Sequence, residues 1–286
     1  MILITGATGH IGMAVIQQLL TKLAPSQVAG LVRNAAKAAP LQELGIATRL
    51  GDYDDPAALE RAMQGIDKVL LVSGGGDDHG LQQHYNVVDA AKRAGVSCIA
   101  YTGRALQDRD SLANELMVRH FQTEDYIKAS GLRYVLFRNI LYMDTLPQFV
   151  GPAVFESGIN LPASEGRVSF ALRSDMGEAI ANVLAEGDCE NRTYTFTNTE
   201  TYSFADVAAA LSELSGKEVR YTALADETFA ANMKARNVPE SVTRFVLGFM
   251  TDIKHGQESV VSDELQQVLG RKPASLQEGL KTLFAL

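Results

Sequence analysis

Gly6, Gly9 and Gly12 follow one another at intervals of three, directly after the apolar run Ile2–Thr5. A strand that must turn at once into a helix needs a residue without a Cβ at the turn, and Gly6 supplies it. Gly9 leaves room for a diphosphate to touch the main chain, and Gly12 lets the new helix press against the strand. The helix start then offers unpaired N–H groups and the positive end of its dipole to an anion. A glycine triplet alone says little, but one at the head of a strand–helix–strand unit is specific. Gly6, Ala7, Thr8, Gly9, His10, Ile11 and Gly12 are therefore expected to cradle the phosphates of a dinucleotide.

The chain that follows fits such a unit. Apolar runs at Gln27–Arg33, Ala47–Leu50, Lys68–Ser73, Ser97–Thr102 and Tyr134–Arg138 read as strands. Between them Gly12–Leu23, Ala35–Leu44, Pro56–Met63, Gln82–Ala94 and Val118–Ser130 read as helices. Strands that alternate with helices pair in parallel through right-handed crossovers, so the fold class is α/β, a Rossmann-type doubly wound sheet. After residue 144 the rhythm weakens. Tyr194–Thr197 and Val219–Leu224 read as strands; Phe204–Ser215, Asp226–Arg236 and Glu240–His255 read as helices, the first opened by a capping box at Ser203–Asp206. The expected division is a dinucleotide-binding domain over 1–143, completed by segments near 168–197, and a smaller α/β substrate region over 144–286 interleaved with it.

Several further segments carry a family likeness. They are Thr5-Gly6-Ala7-Thr8-Gly9, Val32-Arg33-Asn34, Gly51-Asp52-Tyr53, Asn86–Lys92, Ile99-Ala100-Tyr101-Thr102-Gly103, His120-x-x-Thr123-Glu124, Phe137-Arg138-Asn139-x-x-Tyr142 and the ending Gly270–Leu276. Together they resemble the NmrA-like group of atypical short-chain dehydrogenases/reductases over the whole chain. Within that group they are most similar to reductases of quinones and of triphenylmethane dyes. The resemblance implies NADP(H) as cofactor and a flavin-free hydride transfer to a quinone or related aromatic acceptor. It also implies that Asp52 and Tyr53 flank the adenine, and that Thr102, Arg138, Asn139, Tyr142 and Arg173 belong to the cofactor site. The alternative is an NADP(H)-binding redox sensor without catalysis.

Cofactor choice is read at the end of the second strand. Enzymes that take NAD usually place a carboxylate there for the ribose hydroxyls. Here the run is Gly30-Leu31-Val32-Arg33-Asn34, with no acid. Arg33 is instead suited to hold a 2′-phosphate through forked, charge-assisted bonds, with Lys37 one turn further on, so NADP(H) is expected in preference to NAD(H). Asp52 also reads as a helix cap in the turn Asp52–Pro56. Ser73, Gly74 and Gly75 close the fourth strand, where residues without a side chain let a ligand approach.

Short-chain reductases of alcohols carry Tyr-x-x-x-Lys, yet none of the nine tyrosines has a lysine four positions on. No catalytic residue is identified on that pattern. A quinone or a cationic dye accepts hydride without such a relay, since the protein has only to position the two partners and exclude water. His120 reads as a substrate contact or proton donor, or as a polar core residue bonded to Glu124 or to main chain. Tyr142 suits stacking on an aromatic substrate or simple packing. Phe149, within Leu146–Phe155, suits a substrate lid or the domain seam. His79 and His84 read as surface or loop residues, and no histidine–carboxylate group has metal spacing.

A formal charge of −8 opposes a general grip on nucleic acid or an anionic membrane. No apolar run reaches the roughly 20 residues that span a bilayer. The opening Met1–Ile4 lacks a basic leader, and Cys98 and Cys189 form no C-x-x-C pair. A cytoplasmic monomer or homodimer with two reduced thiols is the expectation.

Overall fold

The computed structural model describes residues 1–74, 79–187 and 189–286. A parallel sheet forms its centre. In chain order its first strands are β1 (Ile2–Ile4), β2 (Val28–Val32), β3 (Ala47–Leu50), β4 (Lys68–Leu71), β5 (Cys98–Arg104) and β6 (Arg133–Asn139). The strands β7 (Ile159–Leu161) and β8 (Arg167–Val168) lie outside it, and β9 (Arg192–Phe196) returns to its edge. The order across the seven strands is β3-β2-β1-β4-β5-β6-β9. Direction reverses at β1, which pairs with β2 and β4, and such a switch point opens a crevice at the carboxyl ends of the strands.

The helices are α1 (His10–Leu19), α2 (Ala39–Glu43), α3 (Pro56–Ala62), α4 (Gly80–Arg93), α5 (Glu115–Ala129), α6 (Leu146–Val150), α7 (Val154–Ser157), α8 (Arg173–Glu186), α9 (Phe204–Ser215), α10 (Asp226–Ala235), α11 (Glu240–Lys254), α12 (Glu264–Leu269) and α13 (Leu276–Phe284). Alternate strand residues point to opposite faces, and both faces are covered. Ile2 and Ile4 join Val15, Ile16 and Leu19 of α1 and Ala179, Ile180 and Leu184 of α8 in one core. Leu3 joins Leu59, Val87, Val88 and Ile127 of α3, α4 and α5 in the other. Outside the sheet, β10 (Tyr202–Ser203) pairs antiparallel with β8, and β11 (Tyr221–Ala223) pairs parallel with β7. The capping box of α9 is formed, with Ser203 N–H donating to Asp206 and Asp206 N–H to Ser203 Oγ.

The structure corrects several readings. The helix expected over 35–44 is a single 3-10 turn at Ala35–Lys37 followed by the five residues of α2. Pro40, which has no N–H and a fixed ring, interrupts the longer helix. The helix α8 was not anticipated. Small and apolar residues bury most of its circumference, which blurs the polar–apolar contrast that marks a helix in sequence. No side chain of its own caps it; Asp144 accepts from Arg173 N–H at 2.9 Å, from 29 residues upstream. The strand β4 stops at Leu71, two residues early, because Val72 N–H donates to Thr5 Oγ1 and Ser73 N–H to Thr102 Oγ1. The two cysteines are not separate thiols: Cys98 and Cys189 form a disulfide with a Cα–Cα distance of 5.8 Å. Among the described residues no helix is long and apolar enough to cross a membrane.

Candidate functional site: a glycine-turn cleft and an adjoining cavity

The turn between β1 and α1 has the form that its glycines impose. Gly6 sits at φ +55°, in the left-handed region. A Cβ on Gly12 would lie 2.3 Å from Gly6 O, and one on Gly9 3.2 Å from the same oxygen. No side chain caps the start of α1, so its first N–H groups are left for a ligand. Thr5 is fully buried beneath this turn and ties β1 to β4; the Tyr53 hydroxyl donates to Thr5 Oγ1 and also contacts Val72 O. Burial raises the Tyr53 phenol above its ordinary range, against the lowering effect of the Thr5 bond, so the hydroxyl stays a donor.

A cavity of about 530 Å³ opens over this turn. Of the residues singled out in the sequence, Gly6, Thr8, Gly9, His10, Ile11, Arg33, Lys37, Asp52, Tyr53, Ser73, Gly74, Tyr142 and Arg173 line it. Arg33 and Lys37 stand at the end of β2, and Tyr142 and Arg173 at the far end past β4. The Arg173 guanidinium lies 4.7 Å from the centre of the Tyr142 ring. The cap of α3 is Asp55, which accepts from Ala58 N–H, so Asp52 is not needed there and lines the cavity. Gln83 of α4 also lines it, a residue that no motif marked.

The remaining expected residues sit elsewhere. Ala7 is buried under the turn and Gly12 is spent on packing. Thr102 is buried and holds Ser73 rather than facing the cavity. Arg138 is drawn away from it: its guanidinium forks onto Glu124, at 2.9 and 2.6 Å. Glu124 is fully buried and needs that charge. Asn139 donates to the Tyr142 hydroxyl at 3.3 Å from behind the cavity wall. Phe149 packs against Phe249 of α11, with ring centres 6.2 Å apart, in the seam between the sheet and the last helices. Gly75 lies outside the described residues.

A second cavity, of about 260 Å³, is lined by Ser73, Gly74, Gly80, His84, Leu116, Arg119, His120 and Phe245. Ser73 and Gly74 belong to both cavities, so the two meet at the end of β4. His120 thus lies on a cavity wall, bonded to Tyr101 through Nδ1 at 2.8 Å and not to Glu124. His84 is not a surface residue. It is 4% exposed, its Nε2 accepts from Gly74 N–H at 3.3 Å, and its Nδ1 meets Thr123 Oγ1 at 2.9 Å. Desolvation lowers the His84 imidazole to about 4. His79 is exposed, as read from the sequence.

A profile of the NmrA-like family matches residues 1–283. Quinone oxidoreductase 2 of Escherichia coli (strain K12) is 35% identical over 285 residues, which is 99% of each chain. The structure of the NADPH-dependent quinone oxidoreductase of E. coli complexed with NADPH superposes with a TM-score of 0.94 at 34% identity, over 99% of this chain and 100% of that one. The triphenylmethane reductase of Citrobacter sp. complexed with NADP(H) superposes with a TM-score of 0.92 at 36% identity, over 99% and 100%.

Proposed function

The chain belongs to the NmrA-like family, and from that premise we propose that it is an NADPH-dependent, flavin-free oxidoreductase that passes hydride to a quinone or related aromatic acceptor. The observation that carries this reading is the meeting of the two cavities at Ser73 and Gly74. One has the shape and charge of a dinucleotide cleft, and the other is a smaller pocket beside its inner end. The names of the relatives that match along their full length favour an enzyme over a sensor.

The residues present fit the cofactor. The Gly6–Gly12 turn and the uncapped start of α1 would hold the diphosphate. Arg33 and Lys37 would hold the 2′-phosphate, with Asp52 and Tyr53 near the adenine. Ser73, Gly74, Tyr142 and Arg173 would border the nicotinamide end. When bound, the reduced nicotinamide supplies the hydride. The work of the chain is positional: Thr102 and His84 pin Ser73 and Gly74, the shared wall, while Leu116 and Phe245 keep the second cavity apolar. With no Tyr-x-x-x-Lys, the proton that completes a hydroquinone comes from water.

The unit that binds the cofactor is read as 1–143 with 168–197, and the acceptor-side unit as the remainder of 144–286. Most of the second cavity wall comes from the first unit, and Phe245 of α11 closes it from the other. One chain lines both cavities, so a monomer and a homodimer serve equally. The charge of −8 opposes a general grip on nucleic acid. A cytoplasmic placement follows from the use of NADPH. Cys98 and Cys189 are only 2% and 6% exposed, which shields their bond from thiol reductants there.

The test is direct. Purified protein mixed with NADPH and a simple benzoquinone consumes the reduced nicotinamide, followed by its absorbance, well above the uncatalysed rate. Tight binding of NADPH with no consumption by any quinone refutes the reductase reading.

A further inference from the structure

Two histidines face the second cavity, and their hydrogen bonds set them apart. His84 uses both nitrogens. Its Nε2 accepts from Gly74 N–H, so the proton sits on Nδ1 and is given to Thr123 Oγ1, whose hydroxyl donates in turn to Arg119 O at 2.9 Å. His84 therefore positions Gly74 and has no polar atom left for a ligand.

His120 is different. Its Nδ1 lies 2.8 Å from the Tyr101 hydroxyl, and Tyr101 is fully buried. Burial raises the Tyr101 phenol and, helped by the charge of Arg104, lowers the His120 imidazole, so both partners are neutral. One proton then lies in their contact. The Tyr101 hydroxyl also interacts with Thr123, but the close hydrogen bond that the geometry gives it is the one to Nδ1. The phenol donates to Nδ1, and His120 carries its own proton on Nε2. Because Nδ1 is turned inward to Tyr101, the ring edge that lines the cavity is the one bearing Nε2–H. That N–H has no acceptor among the described residues.

Resting on the reductase reading above, we infer that His120 Nε2–H donates to a ring oxygen of the acceptor, that Tyr101 is the positioning residue that sets this tautomer, and that the acceptor is a one- or two-ring quinone. Hydride addition breaks the C–H bond of the dihydronicotinamide and forms a new bond on the quinone. The two electrons leave negative charge on a quinone oxygen, where the His120 N–H meets it, and water then protonates that oxygen. A neutral imidazole polarises the oxygen without having to give up its proton. A cationic triarylmethane carbon has no oxygen to receive such a bond. The size of the cavity points the same way, since about 260 Å³ lies below the roughly 300–1,000 Å³ of pockets for drug-sized ligands.

The experiment compares wild type with His120→Phe, His120→Gln and Tyr101→Phe, using NADPH and 1,4-naphthoquinone, with NADPH affinity measured separately by calorimetry. Loss of one preorganised donor typically lowers kcat by about 10²–10³-fold. His120→Phe is expected to lose about 100-fold in kcat with NADPH affinity unchanged, and His120→Gln, which keeps an N–H, to recover at least tenfold of that. Tyr101→Phe lowers kcat more than it raises KM. Wild type has a kcat/KM for 1,4-naphthoquinone at least tenfold above that for malachite green. Independently of turnover, nitrogen NMR of histidine-labelled wild type places the His120 proton on Nε2. A proton on Nδ1, a His120→Phe variant with wild-type kcat, or a preference for malachite green overturns the inference while leaving the reductase reading in place. Wild type that oxidises NADPH with neither acceptor overturns that reading itself.

Discussion

At the scale of single residues, charge and solvation decide the chemistry. Arg33 is the side chain proposed to separate the two dinucleotides. It lines the cleft beside Lys37, at the strand end where a carboxylate would select NAD. Arg33→Ala is expected to weaken NADPH by about 10- to 100-fold, in line with roughly 1.5–3 kcal/mol for bonds to charged groups, and NADH by far less. Equal losses for the two cofactors in calorimetry would exclude a 2′-phosphate contact. His84 gives the protein a pH dependence of known sign. Folding lowers its imidazole from 6.5 to about 4. Between those values the unfolded chain binds a proton that the folded chain refuses, so stability is complete above pH 6.5 and falls as the pH drops toward 4. The loss approaches about 3 kcal/mol. Urea unfolding at pH 7 and pH 4.5 should show it, and His84→Gln should shrink the difference. A gap of wild-type size in that variant would remove His84 as its source. His120, also lowered by burial, acts in the same direction and keeps the gap from closing fully.

Among elements, the crossing of α1 and α8 sets the geometry of the cleft. Both helices cover the same face of the sheet, and Gly177 makes their close approach possible. A Cβ there would stand 2.7 Å from Ala14 Cβ and 3.1 Å from the Ala14 carbonyl carbon. Since backbone is among the atoms met, the strain cannot be relieved by rotating one side chain. Gly177→Val is expected to cost about 1–3 kcal/mol, the usual range for overpacking. It should also weaken NADPH, because α8 begins at Arg173, which lies over Tyr142 at the cleft wall. A denaturation midpoint equal to that of wild type would mean that the two helices pack less tightly than this. The strand ends show a related effect. The early stop of β4 frees Ser73 and Gly74 from the ladder, and the side chains of Thr102 and His84 then hold them as the wall between the cavities.

Across the whole molecule, the disulfide joins the amino end of β5 to the segment between α8 and β9, closing a loop over a sequence separation of 91. In the chain-entropy account a loop of that length stabilises by about 4–5 kcal/mol. Thermal melts of Cys98→Ser/Cys189→Ser, or of protein unfolded under reductant, should fall well below those of the oxidised protein. Melts that coincide would mean that the bond carries no stability. The amino-terminal α/β rhythm and the phosphate turn were legible in the sequence, because their causes are local: alternating apolar runs, helix-spaced apolar faces and glycines at the one turn that demands them. Of the thirteen marked residues that line the first cavity, those of the glycine turn, with Arg33, Ser73 and Gly74, follow strands the pattern foretells, whereas Asp52, Tyr53, Tyr142 and Arg173 were marked through the family resemblance. The tertiary structure alone decided the rest. It brought Cys98 to Cys189, capped α8 with Asp144, buried His84 against Gly74 and Thr123, turned Arg138 to Glu124, and joined two cavities at Ser73 and Gly74. Each of those contacts depends on solvation and charge balance between residues remote in sequence or brought together by loop geometry, and no periodicity or spacing encodes that balance.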